Sequence, residues 1–375
     1  MSCRRWFVLT SGYCVLFLCS GFAFNVSILI PELLHTFGRS KAETSLVPAI
    51  TAGIGYVAGT PWGKCVSRHG TRITGISGSL LVTLGLIFSF FATGIPYLIV
   101  TIGVFTGLGF SATFISATTS IGEYFNGKSK LMALSFLSFG AGCGGILIPF
   151  ILNALIDEFG LRGSLLIMGG IMAHMVCLFC VCKPVSIGIP QTKENNSEHN
   201  SKQGSFSFTN SLKSLVANKV YILHVIAMCF TLPVVNSSKI FILDFLMTQG
   251  FNSQARIKLY MCLEVGTALG GMVPGLLKKY IPHTSVLLIP AFFTIVGTTV
   301  CAFLPTAETY IDHALLLVCL GLTLGVSITT VSMTTMKLVG LQSYTVGLGI
   351  LMTLIGIGNS VGGPIAGTNE LICVK

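Results

Sequence analysis

Charge is what this sequence has least of. Only 9% of its 375 residues are Asp, Glu, Lys or Arg, against about 25% in soluble domains. A water-facing surface cannot be built from so little charge, which excludes an ordinary soluble globular protein. Acidic residues are the scarcer half, 12 against 22 basic ones. The resulting net charge of +10 does not mark a nucleic-acid binder, because the basic residues sit in short segments between apolar runs rather than in one patch. The 13 cysteines lack the paired spacing of a zinc site and the framework of a small secreted domain. Most, such as Cys14, Cys19, Cys229 and Cys301, lie inside apolar runs and read as small packing residues. Cys180 and Cys182 stand beside Lys183 at the end of a run, a weak palmitoylation signal. There is no P-loop, no metal-ligand cluster and no nucleophile elbow. No enzyme, cofactor or metal is therefore expected.

What is abundant is apolar length. Hydrophobic residues make up 52% of the chain and mean hydropathy is +0.85. A membrane-crossing helix needs about 20 mostly apolar residues, since the hydrocarbon core is about 30 Å thick. Eleven such stretches are predicted, at 6–34, 44–63, 73–93, 96–121, 131–155, 163–182, 219–246, 258–277, 284–305, 311–334 and 343–367. The first is too long for the core of a signal peptide. The fold class is an all-α membrane protein of two helical bundles. Residues 1–182 form a six-helix bundle, 183–218 a flexible cytoplasmic linker rich in Ser, Asn, Lys and Glu, and 219–375 a second bundle of five spans.

Orientation follows from the positive-inside rule. With the N-terminus in the cytoplasm, about 15 basic residues fall inside and about 5 outside. That predicts a multi-pass plasma-membrane protein. The sequons at Asn25, Asn195 and Asn236 would then lie in spans or in the cytoplasm and stay unglycosylated.

Two segments carry a resemblance. "GTPWGKCVSRHGTR" supplies Gly59, Arg68, Gly70 and Arg72 between the second and third spans. It resembles the signature loop of the major facilitator superfamily. Glycines there permit a tight turn, and arginines stay in the cytoplasm to meet helix ends and carboxylates. Ser67 stands where that family has an acid. "EYFNGKSKLMALSFLSFGAGCGG" supplies Tyr124, Phe125, Lys128, Lys130, Ala133, Gly140 and Gly144. It resembles the fifth-span motif of the monocarboxylate transporters. "FILDFLMTQGFNSQARIKLYMCLEVGTALGGMVPG" and "GLGILMTLIGIGNSVGGPIAG" are similar to that family's second half.

The resemblance implies a major facilitator fold of twelve spans, so the last span is expected to be missing. The tail "TNELICVK" would then end outside, and the chain reads as truncated before its last span. It also implies where charges should be. The family's proton-coupled members use a first-span lysine and an eighth-span aspartate and arginine. Val26, Thr267 and Gly271 occupy those places here. Proton-coupled lactate or pyruvate transport is therefore not expected.

Other polar residues remain at membrane depth. Asn25, Ser27, Asn236, Lys239, Glu264 and Thr267 are the candidates for a substrate pathway, because an ionisable group in lipid usually faces a cavity or a partner. Helix–helix hydrogen bonding is the competing role for Asn25, Ser27 and Asn236. Asp244 reads as a solvated helix end. His174 and His224 read as hydrogen-bonded structural histidines. Lys239 lies five residues below Asp244, about 7.5 Å, and Glu264 six residues beyond Lys258, about 9 Å. An ion pair between Lys239 and Glu264 is the expectation.

The functional expectation is a facilitative carrier of a small organic solute, working by alternating access. Its partners are that solute and the lipid bilayer, not nucleic acid; a single-span accessory protein stays unidentified. The alternative is a truncated or degenerate membrane protein that does not transport and serves as a binding partner. A channel is disfavoured, since no filter-like segment or ring of like charge is present.

Overall fold

A computed structural model describes residues 2–182, 208–281 and 283–373. Their regular structure is helical throughout. In the first half, α1 (Ser2–Ala23) leads through a 3-10 turn (Val26–Leu29) into α2 (Ile30–Phe37). Then follow α3 (Lys41–Val57), α4 (Gly59–Phe88), the short α5 (Ile95–Leu98), a π-helical stretch (Ile99–Thr106), α6 (Gly107–Tyr124) and α7 (Gly127–Val181). In the second half come α8 (Phe208–Ala217), α9 (Lys219–Thr248), α10 (Ser253–Tyr280), α11 (Leu288–Phe303) and α12 (Tyr310–Cys373).

Seven helices among the described residues are long and apolar enough to cross a membrane, or eight if the bent α8–α9 pair is one span. Three of the continuous elements are longer than one crossing. α4, α7 and α12 each contain one glycine in the left-handed region: Gly70 (φ 85), Gly160 (φ 65) and Gly340 (φ 69). Only glycine adopts that conformation without penalty, so the chain reverses there. Counting the arms on either side separately is compatible with the eleven predicted spans. The two arms of α7 pack on different partners. Gly140 lies against Tyr13 of α1, and Gly169 against Leu86 and Ile87 of α4.

Two expectations are corrected. The first predicted span, 6–34, is not one helix. It breaks after Ala23, and Asn25 has φ −115°, ψ 14°. The predicted linker, 183–218, ends in a helix. α8 occupies 208–217, with Ser211 and Leu215 buried and Val216 exposed. It meets α9 at 83°, and the Asn218 amide at the corner donates to the Leu338 carbonyl at 3.2 Å. Residues 183–207 of that expectation, with Asn195, lie outside the described residues.

The apolar surface fits lipid rather than water. Phe230, Ile295 and Leu315 are each more than 60% exposed, a pattern a soluble monomer avoids. Inside, small residues set the helix spacing. Gly321 and Gly325 on α12 lie directly on the backbone of α10, while Gly266 and Gly270 of α10 meet the backbone of α12. Close backbone approach of this kind replaces the hydrophobic effect as the packing force in membranes.

A candidate functional site between the two halves

One end of the molecule carries the basic turns around Arg68, Lys130, Lys279 and Lys337. From this basic face, two seams run inward between the halves. In the first, the first arm of α7 lies on α10. The Ser135 hydroxyl accepts from the Gly275 amide at 2.8 Å. Gly271 faces Ser138 and Phe139, and Gly142 faces the backbone of Ala268. In the second, the α3–α4 corner lies on the second arm of α12. Gly63 meets Thr345, and Gly59 meets Gly349. The Thr60 and Thr353 hydroxyls are 2.8 Å apart, and Tyr56 and Val57 meet Gly356.

The first seam reaches Glu264. A Cβ at Gly145 would stand 3.0 Å from its Oε2 atom. The Lys239 Nζ atom donates to Glu264 Oε1 at 2.7 Å. The expected ion pair between α9 and α10 is therefore present. Tyr260 stands one turn before Glu264 on the same helix. The lysine side chain keeps 20% of its surface exposed, the glutamate 8%. Each charge alone would be costly at this depth; together they offset much of that cost.

Across the seam, Asn25 marks the break after α1. Its amide donates to Gly21 O at 2.8 Å and reaches Gly145 O at 3.5 Å. Losing helical geometry after Ala23 frees backbone groups, and the Asn25 amide bonds one of the carbonyls. Asn25, Gly145, Glu264 and Lys239 thus form one polar line across both halves.

The other candidates separate from it. Ser27 is exposed on the 3-10 turn. The Thr267 hydroxyl bonds back to Leu263 O at 2.9 Å, within its own helix. The side chains of Asn236 and Asp244 lie outside the described residues. His224 is buried and pairs with Thr335 at 3.3 Å, while His174 is exposed and turns to Ile171 O. In the signature loop, Arg68 is exposed and Arg72 half-buried. Ser67, in the acid's place, bonds its own helix at Lys64 O, 2.8 Å away. The carboxylate beside this loop is instead Glu123, which accepts from Thr71 at 3.3 Å. Of the fifth-span motif, Tyr124 is buried, Phe125 caps α6 in an extended conformation, and Gly140 and Gly144 pack against Tyr13 and Phe17. The Lys128 side chain lies outside the described residues. Sequence reasoning missed Gly145 and Tyr260. Tyr260 was visible as the residue one turn before Glu264.

The places where the resembled family carries charge are closely packed at Val26 and Gly271. Val26 is 1% exposed. A Cβ at Gly271 would stand 3.1 Å from the backbone of α7, so any side chain there requires that helix to give way.

The chain matches the Major Facilitator Superfamily model over residues 12–363. It is 33% identical to human Monocarboxylate transporter 6 over 190 residues, which is 50% of this chain and 37% of that protein. It is 25% identical to Monocarboxylate transporter 9 of Pongo abelii over 442 aligned residues, 96% of this chain and 86% of that one. The chain thus spans well under half the length of its transporter 6 relative and most of its transporter 9 relative. Among solved structures, the proton:xylose symporter XylE superposes with a TM-score of 0.76 at 13% identity, over 99% of this chain and 90% of that one. FucP in its outward conformation gives 0.72 at 16% identity, over 96% and 91%. These likenesses concern the fold. The chain belongs to the major facilitator superfamily, and the curated proteins it resembles are monocarboxylate transporters.

Proposed function

We propose that this protein is a secondary transporter that carries a small organic solute by rocking its two halves about a central site. The observation that carries this reading is the pair of seams. Both are lined by small residues, both close the basic face, and one of them ends on the charge pair. Small residues allow two rigid bundles to meet closely and to part without unfolding. The two seams support a state in which the halves are closed on the basic face. By the positive-inside rule the basic face is cytoplasmic, the N-terminus with it, so the seams close the cytoplasmic side. The pathway residues are Asn25, Lys239 and Glu264.

Transport is read in proteoliposomes by counterflow, in which preloaded unlabelled solute draws in its labelled form. At least one solute of a broad organic panel should exchange. Absence of exchange for the whole panel favours the non-transporting alternative. Coupling is expected to be facilitative. Because Val26, Thr267 and Gly271 replace the charges a proton relay would use, and Glu264 is already neutralised by Lys239, an imposed inward proton gradient should leave lactate uptake unchanged. Lactate accumulation driven by that gradient overturns this coupling.

A further inference from the structure

We infer that the Lys239–Glu264 pair is a binding site for a zwitterion: a small molecule with an ammonium and a carboxylate a few bonds apart. The inference deepens the transporter reading and rests on it only for the route by which solute reaches the site.

The pair has no net charge, and that decides what it accepts. A simple anion drawn to Lys239 would strip Glu264 of its counter-ion and leave a carboxylate unpaired in low dielectric. A simple cation drawn to Glu264 would do the same to Lys239. Unpaired charge of this kind is among the most unfavourable states a buried site can adopt. A zwitterion avoids both. Its carboxylate takes the Lys239 ammonium and its ammonium takes Glu264, so four charges alternate in sign and each keeps a partner. The protein's charge is unchanged and no proton has to move.

The surroundings suit such an exchange. The Lys239 side chain keeps one-fifth of its surface exposed while its ammonium is engaged at 2.7 Å, so the pair sits at the edge of the packed interior rather than sealed within it. Because Gly145 has no side chain, Glu264 Oε2 packs directly against the first half, and the carboxylate is held at the interface of the two halves. The Asn25 amide, within reach of Gly145 O, offers a further neutral donor next to the same glycine.

L-alanine and L-lactate differ in shape by almost nothing and in charge by the ammonium, so they separate this site from a monoacid site. The full chain in nanodiscs should be thermally stabilised by L-alanine, glycine, β-alanine or γ-aminobutyrate, and not by L-lactate or isopropylamine. Glu264→Gln removes the anion and frees Lys239. It should weaken binding of the zwitterions about tenfold or more and create binding of lactate. Lys239→Met should remove both. If either single variant fails to fold, the double variant, which leaves no unpaired charge, must fold and must have lost zwitterion binding. Three results overturn the site: stabilisation of the unaltered protein by lactate in preference to alanine, zwitterion binding that survives the substitutions, or no stabilisation by any of the four zwitterions. Binding in nanodiscs with no counterflow in proteoliposomes would sink transport and leave the site standing. Lactate counterflow without zwitterion binding would do the reverse.

Discussion

Removing either charge of the central pair should damage the protein more than removing both. Lys239→Met leaves Glu264 without its cation, and Glu264→Gln leaves Lys239 without its anion. Breaking a buried pair costs about 3–5 kcal/mol. With 20% of the Lys239 side chain exposed, water moderates the loss, and about 2–3 kcal/mol is the expectation for each single variant. Replacing the pair by two neutral side chains of similar size is often close to neutral. The double variant should therefore lie within about 1 kcal/mol of the unaltered protein. Unfolding midpoints of the four proteins in one detergent give the coupling. Strictly additive losses would mean that Lys239 and Glu264 act independently, Lys239 reaching outward and Glu264 meeting water.

Transport should respond differently from stability. A pair that only holds α9 to α10 would let the double variant transport normally. A pair that also binds solute cannot, because both charges are gone. Near-normal folding with lost counterflow is the expected result. The amount of protein reaching the membrane and the rate per molecule distinguish the two roles.

The pair was legible in the sequence because depth along a helix is simple arithmetic. Lys239 and Glu264 sit at similar distances from one connecting turn. The fold was legible for a related reason: long apolar runs separated by basic turns leave few alternatives in a bilayer. The break at Asn25 was not legible. The run from Trp6 to Leu34 contains no proline until Pro31 and no charge until Glu32, and the Asn25 amide that bonds Gly21 O at the break also reaches a carbonyl 120 residues away, at Gly145, which no local pattern reveals. The helix of α8 was hidden by averaging. Its "FTNSLKSLVA" follows a polar stretch that dominates the composition of 183–218, while the residues that anchor it, Ser211 and Leu215, are buried only in the assembled protein. The seam itself was half visible. Glu264, Ala268, Gly271 and Gly275 follow the period of one helix face, but nothing in the sequence says that this face meets the other half of the molecule.

The same alanine substitution should have opposite consequences at two kinds of glycine. Gly142 and Gly63 lie in the seams between halves, where a Cβ would overlap Ala268 and the Thr345 carbonyl. Gly266 and Gly325 lie within the second half, where a Cβ would overlap the Val318 and Thr267 carbonyls. The overlap is backbone in every case, so no rotamer change relieves it. Two packed helices of one bundle have nowhere to go, and overpacking of a tight contact costs about 1–3 kcal/mol or more. Gly266→Ala and Gly325→Ala should lower the unfolding midpoint and the amount of folded protein. If the protein works by the proposed rocking of its halves, the seams part in another state of the cycle. Gly142→Ala and Gly63→Ala should leave folding largely intact and shift the population away from the state closed on the basic face. A cysteine introduced at Ser138, next to Gly271 in the first seam, reports that shift through its rate of modification by a membrane-impermeant thiol reagent added on the basic side. The background must carry none of the native cysteines. Faster modification in the seam variants, and none in Gly266→Ala or Gly325→Ala, is the expected outcome. Equal loss of folded protein for all four substitutions would mean that the seams are permanent packing, and alternating access through them would fall with it.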